Sequence, residues 1–401
     1  MRAIGLFWGL FVMAFPIWGF AEIIPITLPD SYAGYQPVGL IKTSDGYILA
    51  GNVENPETGW DVSLLWLSQD YSFIKQLLLS GDRSDLVSKI LRLKDNLLLL
   101  TNTSSNSGDL QKRRGLLDIG IIKLDQDGNK LWTSNFGGNG INYAQDICAY
   151  EDENTVAVVG WFNAPGGDIP KVYGGWDIAV AKYDTLAELK WVKTLGTAAD
   201  DMSGSILCDK GNIYVVYNSW AKDRQWDLKF VRLDKDGNLV GEKSYGGSGS
   251  EIVHKIIKTQ DENFIILGST DSADIEMDNA RGKIDIWIIK IDAQGNILWQ
   301  TRLGGSEDDL GRDIALGGDG SYWVLGATES SDGDITKHIG GGDICIFNLD
   351  DNGHLVNSET YGTLEEDQPI QILPTPTDIL FLCGTKKSDI FSEPFLLKKV
   401  Y

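Results

Sequence analysis

Residues Asp285 to Asp334 read DIWIIKIDAQGNILWQTRLGGSEDDLGRDIALGGDGSYWVLGATESSDGD. An alternating apolar run, Ile286–Ile291, ends at Asp292, and a Gln-Gly-Asn turn leads into a second run around Trp299. Gly304-Gly305 and the acidic cluster Glu307–Asp309 break that run; a third holds Ile314 and Leu316; the turn Gly317–Gly320 feeds a fourth, Tyr322–Leu325. Period-two alternation bounded by Gly, Asp and Asn is the signature of strands joined by tight turns. Four strands in this stretch make one small antiparallel sheet.

The rest of the chain repeats it. The opening Asp recurs at Asp61, Asp118, Asp177, Asp227, Asp285 and Asp343, at spacings of 57, 59, 50, 58 and 58. Periods of this size point to a stacked array or a propeller. The first turn recurs as Asp125–Asn129, Asp234–Asn238 and Asp292–Asn296. Its glycine supplies the positive φ of a tight hairpin, which Asn and Asp also tolerate. Trp132, Trp191 and Trp299 fall in one column, and Gly137-Gly138, Gly246-Gly247 and Gly304-Gly305 in another.

This pattern resembles the SBBP-type bacterial β-propeller repeat, named for seven blades. Its D-x-x-[IV]-x-K-[LI] strand, D-x-x-G-N turn, GG-S break and Y-x-x-G-x-T strand match Asp285, Lys290, Gly295, Gly304, Gly305, Tyr322, Gly326 and Thr328. The resemblance covers about residues 22–401 and implies a fold rather than a function, because propellers host many activities. With strands labelled A to D from the axis outward, as in kelch-like blades, six complete sets start near residues 36, 85, 143, 201, 251 and 309. A seventh has A at Pro369–Leu373, B at Ile379–Gly384 and C at Phe395–Val400, and lacks D. The segment Ile23–Leu28 precedes the first strand A and is expected to supply it, closing the ring and covering an open edge. The expectation is an all-β, seven-bladed propeller of four-stranded antiparallel blades, one domain over residues 22–401.

Residues 1–21 read as a secretory signal: Arg2, an apolar Ile4–Phe20, and a small-x-small cleavage site ending at Ala21. A retained anchor is the competing reading, disfavoured by the shortness of the run, and no later stretch is apolar enough to span a bilayer. The net charge of −22 argues against nucleic acid, which needs a basic face, and fits an exported protein with a partner of opposite charge. Export permits disulfides, but Cys148, Cys208, Cys345 and Cys383 each fall inside an expected strand with no C-x-x-C spacing. Four buried free thiols are expected; if bridges form, the candidate pairs are Cys148–Cys208 and Cys345–Cys383.

Strands A and C run one way and B and D the other. The tight A–B and C–D turns therefore share one face, and the longer B–C and D–A loops share the opposite one, where binding groups concentrate. The D–A loops carry Asp82, Asp85, Asp200, Asp201, Glu251, Glu307, Asp308, Asp309 and Glu365 to Asp367. As a functional site they would hold a cation, with Glu251, Asp308 and Asp309 the candidate ligands; as architecture each would accept backbone N–H groups and pin a crossover, which repetition favours. The B–C column Asp109, Asp168, Asp274, Asp334 and Asp389 reads the same way. Turns such as Asp125–Gly128 resemble calcium loops only faintly, so a structural calcium ion is a weak expectation and no cofactor is expected. The basic run Gln111–Arg114 reads as a solvated tip.

Function is sought where repeats differ. The fourth B–C loop, Ser219–Gln225, is truncated where others run about fourteen residues. It is expected to leave a notch that exposes Trp220 and Arg224, types enriched at interface hot spots, beside Asp200 and Asp201. The competing reading packs Trp220 between blades. Enzyme signatures are poor: His254, His338 and His354 have no metal-ligand spacing, and there is no H-E-x-x-H or G-x-S-x-G. The D-x-x-G-N-x-x-W turn also resembles quinone-dependent propeller dehydrogenases, but those are larger, usually eight-bladed, and often carry a vicinal disulfide. The reading reached is a secreted or periplasmic binding or scaffold propeller with a protein or carbohydrate partner at the bacterial envelope. The alternative is a propeller hydrolase, lyase or quinone-dependent oxidoreductase, which would need paired carboxylates of raised pKa in a channel pocket.

Overall fold

The computed structural model describes residues 22–26, 28, 34–110, 113–150, 155–221, 225–275, 282–386 and 392–400. The apolar leader 1–21, Arg224, Asp389 and half of the basic run 111–114 lie outside them. Twenty-eight strands form seven four-stranded antiparallel sheets, each a sequential A-B-C-D meander except the last. Strands A are Tyr35–Lys42, Asp85–Leu93, Asn142–Tyr150, Asp201–Asp209, Glu251–Lys258, Asp309–Leu316 and Asp367–Pro374, for blades 1 to 7. Successive strands A contact one another around the ring, including those of blades 7 and 1. The last blade takes its strand D from the other end of the chain: Glu22–Pro25 pairs antiparallel with Ser392–Val400, with Ile24 opposite Leu396.

The core lies between blades. Seven apolar clusters each draw side chains from two neighbours; Phe136 and Ile119 of blade 2 pack with Val158 and Tyr183 of blade 3. Strands B and C, covered on both sides, read as nearly continuous apolar runs, as in Ile344–Phe347, while strands D are the exposed ones, Leu239–Tyr245 burying only its last residue. Each blade thus needs its neighbour to bury its face, which makes the ring an array of interfaces.

The outer rim is tied blade to blade. Trp191 of blade 3 donates its Nε1–H to the Lys235 carbonyl in the C–D turn of blade 4, at 3.0 Å. Trp66 does the same to Gln126 and Trp299 to Asp351. Gly237 has φ +81° and lies against the Trp191 ring, where a Cβ would come within 3.0 Å. The turn glycine therefore serves both the hairpin and the approach of the indole. The turn into blade 3 lacks a glycine, placing Ala187 at φ 66°. Correspondingly, Trp132 has a buried Nε1 with no hydrogen-bond partner among the described residues.

One expectation is corrected. Cys148 and Cys208 form a disulfide between strands A of blades 3 and 4, with Cα atoms 5.6 Å apart. Only Cys345 and Cys383 remain free, both buried, with burial pushing both thiols well up. The register of neighbouring inner strands brings Cys148 and Cys208 face to face, which spacing alone does not fix.

Candidate functional site

The acidic column of the D–A loops is built into the blade junctions. Asp201 is fully buried; its Oδ2 accepts the Thr197 N–H at 2.6 Å and the Thr197 hydroxyl at 3.0 Å. Across Gly196 stands Asp177, whose Oδ2 accepts the amides of Tyr173 and Gly174. A Cβ on Gly196 would lie 2.0 Å from Asp177 Oδ1 and 3.1 Å from an Asp201 oxygen, so the first glycine of the Gly-Gly column is the gap between two carboxylates. Asp309 accepts from Gly305 and Ser330, and Glu251 from Gly247, Thr270 and Ser272. Burial raises the pKa of Asp177, Glu251 and Asp309, and facing Asp201, Asp227 and Asp285 add to it. Burial pushes Asp85 up to about 6. Among the described residues no three metal-ligating side chains converge. Of the residues weighed as cation ligands, Glu251 has both carboxylate oxygens on the Gly247 amide and the Thr270 and Ser272 hydroxyls, and Asp309 has its Oδ2 on the Gly305 amide and the Ser330 hydroxyl; Asp308 offers its carbonyl to Glu329.

In blade 3, Asn142 takes the place of the acid. Its Oδ1 accepts the Gly138 amide at 2.9 Å, and its Nδ2 donates to Asp118 Oδ1 at 3.1 Å. The B–C acids anchor loops likewise: Asp109 and Asp334 accept the amides of Ser80 and Gly304, and Arg114 pairs with Asp168 at 2.7 Å.

The short B–C connection of blade 4 has company. Four B–C connections, 104–117, 163–176, 271–284 and 329–342, run fourteen residues each, whereas those of blades 1, 4 and 7 span only 56–58, 221–225 and 387–391. The expectation that blade 4 alone withdraws its loop is therefore corrected: blades 7 and 1, on the far side of the ring, are short too. Long B–C connections thus belong to blades 2, 3, 5 and 6, and short ones to blades 1, 4 and 7. In blade 4 Trp220 is 43% exposed and meets Trp226 edge to face at 5.2 Å. It lines a groove of about 690 Å³ with Thr197, Ser219 and Lys229. Asp200 is beside it: its carbonyl accepts the Trp220 N–H at 2.9 Å, while its Oδ1 accepts that of Trp176 at 3.1 Å. Next along the face, Trp161 stacks on Tyr143 at 4.5 Å and meets Trp176 at 4.6 Å.

The axial channel carries a pattern that sequence reasoning missed. Every strand A has a β-bulge at the same level, a device that re-aims side chains. The register skips Val38, Ser88, Gln145, Ser203-Gly204, His254, Arg312 and Ile370 in blades 1 to 7. The blade-4 bulge is two residues wide, with Ser203 at φ 62°, an uncommon conformation for a non-glycine residue. These positions, with the exception of Ser203, line a polar cavity of about 270 Å³. Beside them Lys89 lies 3.6 Å from Asp146, and Lys255 contacts Asp313. Both acids also reach the next blade: Asp146 accepts from Ser205 and Ile206, and Asp313 from the Ile372 amide at 2.7 Å. His254 bonds Ser269 at 2.9 Å, and burial, with Arg312 nearby, drops its pKa to about 3, so it is neutral. The sequence does carry seven different residue sets at one level of strand A, but the bulge that gives that level its meaning is seen only in the strand pairing.

No protein-family model matches the sequence. The regulatory protein FlaEY of Caulobacter vibrioides is 23% identical over 175 residues, 40% of this chain and 18% of that protein; the match spans under a fifth of that relative's length. Among solved structures, Kuenenia stuttgartiensis hydrazine synthase is similar with a TM-score of 0.55 and 11% identity, over 96% of this chain and 100% of that one. The β-propeller domain of the trilobed protease from Pyrococcus furiosus gives 0.52 and 10%, over 92% and 96%. Puromycin hydrolase gives 0.56 and 14%, over 96% and 55%. At such identities the likeness is one of fold, and this chain is a seven-bladed propeller whose structural neighbours include enzymes.

Proposed function

We propose that this chain is a non-catalytic binding propeller of the SBBP-repeat type, exported to the bacterial envelope, where its loop face takes an extended protein or glycan segment. The observation that carries the reading is Trp220, a large aromatic left 43% exposed on the edge of Trp226 where a groove meets a shortened loop. Exposed, rigid indoles bind sugar faces and peptide side chains with little entropy cost. The half-buried Tyr143–Trp161–Trp176 group of the neighbouring blade extends the aromatic surface beyond Trp220, which suits a chain-like ligand. The apolar leader and the Cys148–Cys208 bridge support an oxidising compartment. Carboxylates of raised pKa lie buried between blades, each with an oxygen on backbone amides or hydroxyls, which suits architecture better than acid–base chemistry.

The test is Trp220→Ala, probed on arrays of envelope glycans and peptides alongside a thermal melt. Retained stability, within about 1 kcal/mol as for a surface site, together with lost capture supports the reading. Undiminished capture by the folded variant removes the groove as the site.

A further inference from the structure

The ring of bulges holds a charge that nothing among the described residues pairs. Three cations, Lys89, Lys255 and Arg312, line the cavity against two acids, Asp146 and Asp313. The two acids are engaged by the two lysines and by amides or hydroxyls of the next blade. Asp146 raises the pKa of Lys89 and keeps it charged. Arg312 is left over. It sits at the unpaired position of its strand and its side chain is exposed to the channel. Among the described residues it makes no hydrogen bond or ion pair; its electrostatic influence falls on Lys89 and His254, both of which it disfavours in the charged form. In a chain of net charge −22, carboxylates abound, yet among the described residues none pairs with this guanidinium.

We propose that the axial channel binds a small oxyanion, a carboxylate or phosphate group, with Arg312 as its anchor and Gln145, Lys89 and Lys255 around it. A guanidinium offers a planar fork of donors matched to two oxygens of one oxyanion. The neighbouring lysines add positive potential that low-dielectric walls focus. Gln145 donates weakly, its Nε2 lying 3.5 Å from the Ser203 hydroxyl, and is available to a ligand. A cavity of about 270 Å³ admits a small ion and excludes a folded partner. The site is separate from the groove at Trp220, which shares no lining residue with it.

Isothermal titration with inorganic phosphate and with citrate tests the proposal, run on the wild type, Arg312→Ala, Arg312→Lys and Gln145→Glu. The expected result is saturable binding of at least one probe, weakened about tenfold or more in Arg312→Ala, at an unchanged melting temperature. Arg312→Lys keeps the charge without the fork and should fall between. Gln145→Glu preserves shape, adds a competing carboxylate to the ring and should weaken binding without touching Arg312. The outcome for each probe tells a phosphate from a carboxylate preference. Absence of saturable binding of either probe at roughly tens of millimolar, or equal binding by wild type and Arg312→Ala, overturns the assignment.

Discussion

At the junction level the blades are alike, and one level further along strand A they are not. Asp85, Asp201, Glu251, Asp309 and Asp367 all accept hydrogen bonds from donors of the turn just before strand A or of the neighbouring strand B. A few residues on, the bulges hold Val38, Ser88, Gln145, Ser203, His254, Arg312 and Ile370. The two levels share backbone geometry and differ in what their side chains serve. Repeated side chains saturate the protein's own donors. The unlike ones, Ser203 apart, line a cavity and, at Arg312, satisfy nothing among the described residues. In a repeat protein, sameness marks what the fold needs and difference marks what is free for a ligand.

The sharpest way to break that comparison is at the one junction that departs from the pattern covalently. Replacing Cys148 and Cys208 by Ser should cost about 4 kcal/mol, the chain-entropy value for a loop of this size, read in urea unfolding; a cost as small as that at a surface site would mean the noncovalent junction suffices. Next comes Asp367→Ala, which removes the partner of the Thr363 amide and of the Thr363 and Thr385 hydroxyls. A loss of about 2–3 kcal/mol is expected for stranding buried donors. The same truncation at Arg312 should stay within about 0.5 kcal/mol. Equal losses at the two levels would erase the distinction between them.

The smallest effect is one of pH. The Asp85 carboxyl is pushed to about 6 in the folded chain against an ordinary 3.8, first by burial and also by Asp61 and Asp82. Between these values the folded state binds more protons than the unfolded one. Its contribution to stability therefore falls as pH rises from about 4 to about 6 and is regained on acidification, the reverse of a salt-bridged carboxylate. Asp85→Asn, the amide that blade 3 already carries as Asn142, should flatten that part of the pH–stability profile by a few °C in melting temperature. A profile unchanged by the substitution would mean that burial does not raise the Asp85 carboxyl in the folded chain.

Much of this was legible in the sequence because the signals were periodic. The D-x-x-G-N turns fixed strand ends, and the orphan strand at Ile23–Leu28 matched a blade that lacked one; the strand observed is Glu22–Pro25. Gly304-Gly305 stood out as a break, though its reason, a gap between Asp285 and Asp309, needed coordinates. The channel ring was hidden because a bulge adds a residue without breaking the alternation of Gly311-Arg312-Asp313, and no turn residue announces it. The disulfide was hidden for a related reason: pairing depends on the registry of two strands that share no sheet. Trp220 was singled out through its short loop, while the equally short connections of blades 7 and 1 were overlooked because they sit where the numbering wraps around.

The tryptophans that reach into the next blade's turn have a kinetic consequence. Trp66, Trp191 and Trp299 stitch the rim, while Asp146 and Asp313 stitch the axis. Blades 3 and 4 are held at both radii, by Trp191 outside and Asp146 inside, so neither tilts against the other without losing a bond. A ligand entering the channel beside so fixed a junction would spend little free energy on ordering that part of the wall, and its rate of capture would then follow diffusion and the sign of its charge rather than a conformational step.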